Sequence, residues 1–223
     1  MSVTKINLKA IEMKAWLSTF QDGLWDIYLG ILMVSDAVGT FLNDAGAADS
    51  VRIPSYVSVM VLGMILFVAG KLFVTAPRMG RVKFAPQRKA RSMRVILIIG
   101  ITMLIMGVLF WTGQLRSARG EPPIIPPGVI PTLIIIVFIV GVFSLLAASW
   151  GLKRMYLYGV LVAMPEIAGL VLGQAAGIDP GFITPAVSAS IMLTIGVIIF
   201  IRFLRAYPIP PVDEASTNEA ANG

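Results

Sequence analysis

Three acidic residues lie inside apolar stretches of the sequence, and they are the residues best suited to chemistry. Asp36 and Glu166 lie deep within stretches long enough to cross a bilayer, and Asp26 lies near the start of the first stretch. A carboxylate at mid-bilayer costs roughly 2.5–3.5 kcal/mol on insertion scales, so it needs a partner, water or a proton. We therefore predict contacts for an ion or a polar substrate. The alternative is a set of hydrogen-bonded carboxyl groups that hold helices together.

Glu166 directly follows Pro165. A proline inside a helix frees a backbone carbonyl and kinks the helix, and kinked or broken helices line the binding sites of many transporters. No Lys or Arg is expected at the same depth, so we expect Glu166 to be protonated. Glu166→Gln should then leave folding intact.

The elements that carry these residues are predicted to be membrane-spanning helices. Hydrophobic residues make up 57% of the 223-residue chain and charged residues 13%, whereas soluble domains are about a quarter charged. The predicted fold is all-α, an integral membrane bundle of six transmembrane helices with an N-terminal interfacial amphipathic helix. The domains are residues 1–22 (interfacial helix), 23–207 (membrane domain) and 208–223 (disordered polar tail). The predicted spans are 23–42, 55–76, 95–113, 130–150, 155–176 and 186–204.

Several local features define these spans more closely. Pro77 is expected to end the second span, and Lys71 just before it is expected to extend its ammonium group to the headgroups. The turn at 151–154 is short, which predicts an antiparallel hairpin. Gly169, Gly173 and Gly177 are spaced for close helix packing, either within the chain or between two copies.

A basic segment, residues 71–94, follows the second span and carries eight of the eighteen Lys and Arg residues. With both termini placed in the cytoplasm, fifteen of the eighteen face inward, as the positive-inside rule requires. We expect this face to bind anionic lipid headgroups or a partner protein and not nucleic acid. The candidate residues are Arg78, Arg81, Lys83, Arg88, Lys89 and Arg91.

The composition argues against an enzyme. The chain has no histidine and no cysteine, which excludes thiolate nucleophiles, His-based acid–base pairs and Cys or His metal sites. No cofactor and no metal site are predicted. The aspartates from Asp22 onward do not match the metal-binding motif of the CDP-alcohol phosphotransferases, because only Asp22 and Asp44 fall at its positions.

Two stretches, FQDGLWDIYLG (Phe20–Gly30) and TAPRMGRVKF (Thr75–Phe84), resemble a pattern in an uncharacterised family of prokaryotic multi-spanning membrane proteins. In that family a Phe-x-Asp-Gly-Leu-Trp-Asp stretch opens span one and a Pro-Arg-x-Gly-x-Val-x-Phe loop follows span two. The resemblance implies a prokaryotic cell membrane and no particular activity. It also places both stretches at the inner face, where Asp22 or Asp26 could pair with Arg78 or Arg81.

Two functions remain open at the level of sequence. The first is a non-catalytic accessory or assembly protein of the plasma membrane that uses its basic cytoplasmic face to bind lipid or a partner. The second is a small transporter or ion-conducting protein that uses Asp36 and Glu166. A second copy of the chain or another membrane protein is the expected protein partner.

Overall fold

The computed structural model describes residues 20–79, 129–173, 177 and 179–208, with seven isolated positions between 93 and 112. Within these residues, five helices are long enough and apolar enough to cross a membrane. They are α1 (Leu24–Asp44), α2 (Asp49–Ala69), α3 (Val129–Trp150), α4 (Arg154–Ala168) and α5 (Ile183–Ala206). Helix α2 continues through a π-helical segment, Gly70–Thr75, into a last α-helical turn, Ala76–Met79. Helix α4 continues through a second π-helical segment, Gly169–Gly173.

The all-helical fold is confirmed for the described residues, and five of the six predicted spans correspond to helices that are long and apolar enough to cross a membrane. The predicted third span, 95–113, lies outside the described residues apart from isolated helical positions. The interfacial helix predicted over 1–22 and the tail predicted over 208–223 also lie almost entirely outside them. The isolated helical positions are Met93, Leu97, Gly100, Ile101, Leu104, Val108 and Thr112.

The surfaces of the helices are apolar to an extent that is consistent with a membrane location. Phe73 is 77% exposed, Ile130 is 72% exposed and Val137 is 69% exposed. A monomeric soluble protein rarely exposes large contiguous apolar patches, because water would drive them together. In a bilayer the same side chains meet lipid tails, so exposure carries no such penalty.

The chain divides into two compact units. The first comprises Met1–Lys83 with Ala189–Gly223, and the second is Phe84–Ser188. In the first unit, α1 and α2 form a hairpin. The N–H of Gly46 donates to the carbonyl of Asn43 and the N–H of Ala47 to that of Leu42, which is the Schellman arrangement at a helix end. Gly46 takes a φ of 71°, which explains a glycine at this position.

In the second unit, α3 and α4 form the predicted antiparallel hairpin. A three-residue turn, 151–153, joins them, and Gly159 of α4 packs against Phe143 of α3. The expected close packing along Gly169 and Gly173 is not seen among the described residues, since no described atom lies within 4 Å of a Cβ placed on either glycine.

Two boundaries of the second span differ from the prediction. Helix α2 starts at Asp49, so Pro54 lies within the helix and not in a loop. The carboxylate of Asp49 suits a helix N-terminus, and Arg52 pairs with it at 2.6 Å. At the other end, Pro77 does not stop the helix, which continues through the turn Ala76–Met79. The π-helical segment just before Pro77 has already changed the hydrogen-bond ladder, because Ala76 donates to the carbonyl of Lys71.

Candidate functional site at the start of the first helix

Asp22, Lys71 and Thr75 form a hydrogen-bonded group, here called the Asp22 cluster, that joins the start of α1 to the end of α2. The Oδ2 atom of Asp22 accepts from Lys71 Nζ at 2.6 Å and from Thr75 Oγ1 at 2.8 Å. Its Oδ1 atom accepts from the backbone N–H of Leu24 at 3.2 Å. Asp22 is completely buried, whereas the side chain of Lys71 is 24% exposed. Both carboxylate oxygens of Asp22 are therefore used within the protein.

The backbone at Asp22 and Gly23 explains why the carboxylate occupies this position. Leu24 is the first residue of α1, and the first N–H groups of a helix have no partner within the helix. Asp22 supplies a partner for one of them, and its negative charge lies at the positive end of the helix dipole. Gly23 turns the chain into the helix with a φ of 71°, a conformation that other residues rarely adopt.

The π-helical segment of α2 brings Thr75 to Asp22. Gly63, Phe67 and Gly70 all face α1, at spacings of four and three that follow the period of an α-helix. In a continuous α-helix the next residue on that side would be Val74. The i→i+5 bonding of the π-helical segment delays the phase by about one residue. Thr75, which is 8% exposed, therefore takes the place that Val74 would have had.

A group of packed aromatic rings lies beside Lys71. Trp25 and Phe67 lie with ring centroids 4.7 Å apart, and Tyr28 and Phe67 lie 5.3 Å apart. Phe20 stacks on Trp25 at 6.2 Å, and Lys71 Nζ lies 5.8 Å from the centre of the Phe67 ring. A cation near an aromatic face gains further electrostatic stabilisation. The ammonium group of Lys71 is thus held in the protein by Asp22, in contrast to the predicted extension to the headgroups.

The backbones of α1 and α5 are in close contact next to the Asp22 cluster. A Cβ atom on Gly23 would lie 2.5 Å from the carbonyl oxygen of Gly196, and one on Gly196 would lie 2.7 Å from the nitrogen of Ile27. Gly30 is similarly close to Leu193. Asp26 lies between these contacts and is completely buried. Small residues allow helices in a membrane to approach this closely.

The predicted site residues fall into three groups. Asp26 is buried one turn after Asp22, Asp36 is exposed on α1, and Glu166 is half-buried on α4 in the second unit. Asp22 pairs with Lys71, whereas the expected partners were Arg78 and Arg81. Arg78 donates instead to the carbonyl of Val74 at 3.0 Å. The remaining predicted basic residues lie outside the described part of the chain: Arg81, Lys83, Arg88, Lys89 and Arg91.

Lys71 and Thr75 were missed as partners of Asp22, although the sequence carries a signal for them. The glycine and aromatic positions that face α1 are separated by four and three residues, whereas Thr75 follows Gly70 by five residues. A step of five fits neither an α-helix nor a strand. It fits a π-helical turn, which often occurs at functional sites.

The chemistry available to the Asp22 cluster is charge pairing and hydrogen bonding. Within residues 20–79, 129–173 and 179–208, no group of three or more His, Cys, Asp or Glu side chains is placed to hold a metal ion. Comparison of the chain with protein-family models, curated proteins and solved structures finds no match.

Proposed function

We propose that the protein is a multi-pass protein of a prokaryotic plasma membrane that has no catalytic activity and binds anionic lipid headgroups through its basic cytoplasmic face. The observation that carries this proposal is the Asp22 cluster. It ties the ends of α1 and α2 together immediately before Arg78, where the basic segment continues. A basic segment attached to a fixed helix end can present its charges at one depth.

The strength of the attraction follows from the charge of the segment. Each Lys or Arg close to an anionic membrane surface contributes about 1 kcal/mol at physiological ionic strength. The combined attraction of the six candidate residues to an anionic surface would exceed the weak, non-specific attraction of a single charge. The prokaryotic membrane is proposed on the resemblance of the Phe20–Gly30 and Thr75–Phe84 stretches, and the cytoplasmic side on the distribution of Lys and Arg.

The test is to measure which lipids the purified protein retains. Native mass spectrometry of protein from vesicles with equal phosphatidylglycerol and phosphatidylcholine should show preferential retention of phosphatidylglycerol. The variant with Gln at positions 78, 81, 83, 88, 89 and 91 should lose the preference. A matched control with Gln at the predicted interfacial positions, Lys5, Lys9 and Lys14, should retain most of it.

Two results would count against lipid binding. The first is equal retention of both lipids by the native protein, and the second is an unchanged preference in the six-residue variant. If the six-residue variant instead loses a co-purifying membrane protein while lipid retention is unchanged, the basic face serves a protein partner.

Transport is the second candidate, and the exposure of Asp36 favours it. Asp36 lies in the middle of α1 with an exposed side chain, in a helix apolar enough to cross a membrane. An acidic side chain at that depth normally faces water or a partner. Glu166 lies beside Pro165, three residues before the second π-helical segment. Proton-flux measurements in proteoliposomes should then show loss of flux in Asp36→Asn and Glu166→Gln, and normal flux in Asp44→Asn, whose side chain is exposed at the end of α1.

A further inference from the structure

We propose that the Asp22 cluster selects the π-helical form of Gly70–Thr75 over a continuous α-helix, a role here called a register lock. The selected form sets the direction in which the side chain of Arg78 projects from the end of the helix. This inference rests on the proposed function, because it concerns how the basic segment is presented. Its test is a structural measurement that does not depend on lipid binding.

The two registers differ in which residue meets Asp22. In the observed register, Thr75 is buried and its hydroxyl donates to Asp22, while the neighbouring Phe73 is 77% exposed. In a continuous α-helix, each residue turns about 100°, so Val74 would face α1 and Thr75 would turn away. Valine has no hydrogen to donate. The α-helical register would therefore leave the buried carboxylate with one partner fewer.

Pro77 reduces the cost of the observed register. A proline has no N–H group, so one carbonyl in the preceding turn lacks its α-helical donor whichever register is adopted. The direct π-type bond, from the N–H of Ala76 to the carbonyl of Lys71, lies immediately before this proline. The α-helical register therefore gains least from backbone hydrogen bonds next to Thr75, the residue that bonds to Asp22.

Lys71 precedes the change in phase, and Thr75 and Arg78 follow it. Gly70 packs against Leu24, and Lys71 pairs with Asp22, so the first turn of the segment is held in either register. The residues from Val74 onward would rotate by about 100° and move by about 1.5 Å along the axis on conversion to an α-helix. Arg78 is part of that moving end.

The experiment uses spin labels on single cysteines, which is clean because the chain has no native cysteine. Labels at Val74 and Ala76 report on the moving end, and a label at Met64 reports on the fixed part of α2. Oxygen accessibility is measured for each label in the native background and in Thr75→Val and Asp22→Asn. Thr75→Ser, which keeps the hydroxyl, and Thr194→Val, which removes a hydroxyl from exposed Thr194 of α5, are the controls.

The proposal predicts opposite changes at two positions. In Thr75→Val and in Asp22→Asn, the label at Val74 should lose oxygen accessibility because it turns toward α1. The label at Ala76 should gain accessibility because it turns away, and the label at Met64 should not change. Both control substitutions should keep the native values.

Unchanged values at Val74 and Ala76 in both variants would overturn the proposal, and so would changes of the same sign at the two positions. A Thr75→Val chain that does not fold would also contradict it, because the α-helical register should be available to that chain. Equal retention of both lipids by the native protein, together with the expected accessibility changes in Thr75→Val and Asp22→Asn, would contradict the proposed function and leave the register lock intact.

Discussion

The carboxylate of Asp22 makes three interactions in the described structure, and each uses a different property of a carboxylate. Its charge pairs with Lys71, its second lone pair accepts from Thr75, and its other oxygen accepts from the backbone of Leu24. Charge-assisted hydrogen bonds of this kind are about twice as strong as neutral ones. Because Asp22 is completely buried, water cannot replace any of the three partners without opening the helix pair.

We predict a large coupling energy between Asp22 and Lys71. Removing one partner of a buried ion pair costs about 3–5 kcal/mol, because the other charge is left buried without compensation. Asp22→Asn and Lys71→Met should therefore each lower the free energy of unfolding in detergent. The double variant should be less destabilised than their sum by about 1 kcal/mol or more.

The chain provides its own control for this measurement. Asp49 and Arg52 also form an ion pair at 2.6 Å, but their side chains are 72% and 31% exposed. An exposed pair on one helix contributes about 0.3–0.5 kcal/mol. Equal coupling energies for the two pairs would show that burial does not strengthen the Asp22–Lys71 interaction.

At the scale of the elements, glycines determine how closely the helices of the first unit approach one another. Gly23, Gly30 and Gly196 bring the backbones of α1 and α5 together. Gly63 and Gly70 of α2 instead leave room for side chains of α1, those of Ile31 and Leu24. Each π-helical segment also begins at a glycine, Gly70 in α2 and Gly169 in α4. Helix α1 therefore packs closely against α2 and against α5. Larger side chains at these glycine positions would separate the helices.

We predict that Gly196→Ala is strongly destabilising. The added Cβ would lie 2.7 Å from the nitrogen of Ile27, an atom of the backbone that cannot move without shifting α1. Overpacking typically costs about 1–3 kcal/mol. Thermal unfolding in detergent should show the loss.

Gly141→Ala is the matched control, since no described atom lies within 4 Å of its Cβ position in α3. In an exposed helix, exchange of glycine for alanine should raise stability by about 0.5–1 kcal/mol. A Gly196→Ala chain as stable as the native protein would mean that α1 and α5 are less closely packed than the structure indicates.

At the scale of the whole molecule, the distribution of charge predicts the orientation in the membrane. The loop between α1 and α2, residues 45–48, contains no basic residue, and Arg52 in the first turn of α2 bonds to Asn43 and Asp49. The basic segment that follows α2, residues 71–94, contains eight of the eighteen Lys and Arg residues of the chain. From the positive-inside rule we expect the first loop to face outward and the basic segment to face the cytoplasm.

We predict opposite labelling of two single cysteines in intact cells. Ala45→Cys, in the exposed turn after α1, should react with a membrane-impermeant maleimide. Ala90→Cys, in the basic segment, should react only after the cells are lysed. Reaction of Ala90→Cys in intact cells would reverse the proposed orientation.

The sequence predicted the long-range plan better than the local geometry of the site. A block of apolar residues long enough to cross a bilayer predicts a helix directly. In lipid, the backbone N–H and C=O groups must be paired within the protein, and a helix pairs them within one segment. The pairing of Asp22 with Lys71 and Thr75 depends instead on one change of helical phase inside an apolar run. Apolar side chains tolerate either phase, so the composition of the run does not reveal it. Pro77 was expected to end the helix because the rule for proline assumes an uninterrupted α-helical ladder.

The contact between Gly23 and Gly196 has a consequence for biosynthesis. On the order of 170 residues of translation separate the two glycines, which at cellular rates corresponds to roughly ten to thirty-five seconds. During that interval α1 has only one of the two neighbouring helices that the described residues show, and the surface that packs against α5 is uncovered. We expect an insertase or a chaperone to shield α1 until α5 has been synthesised. A nascent chain arrested before Ile183 should therefore be a preferred substrate of membrane proteases.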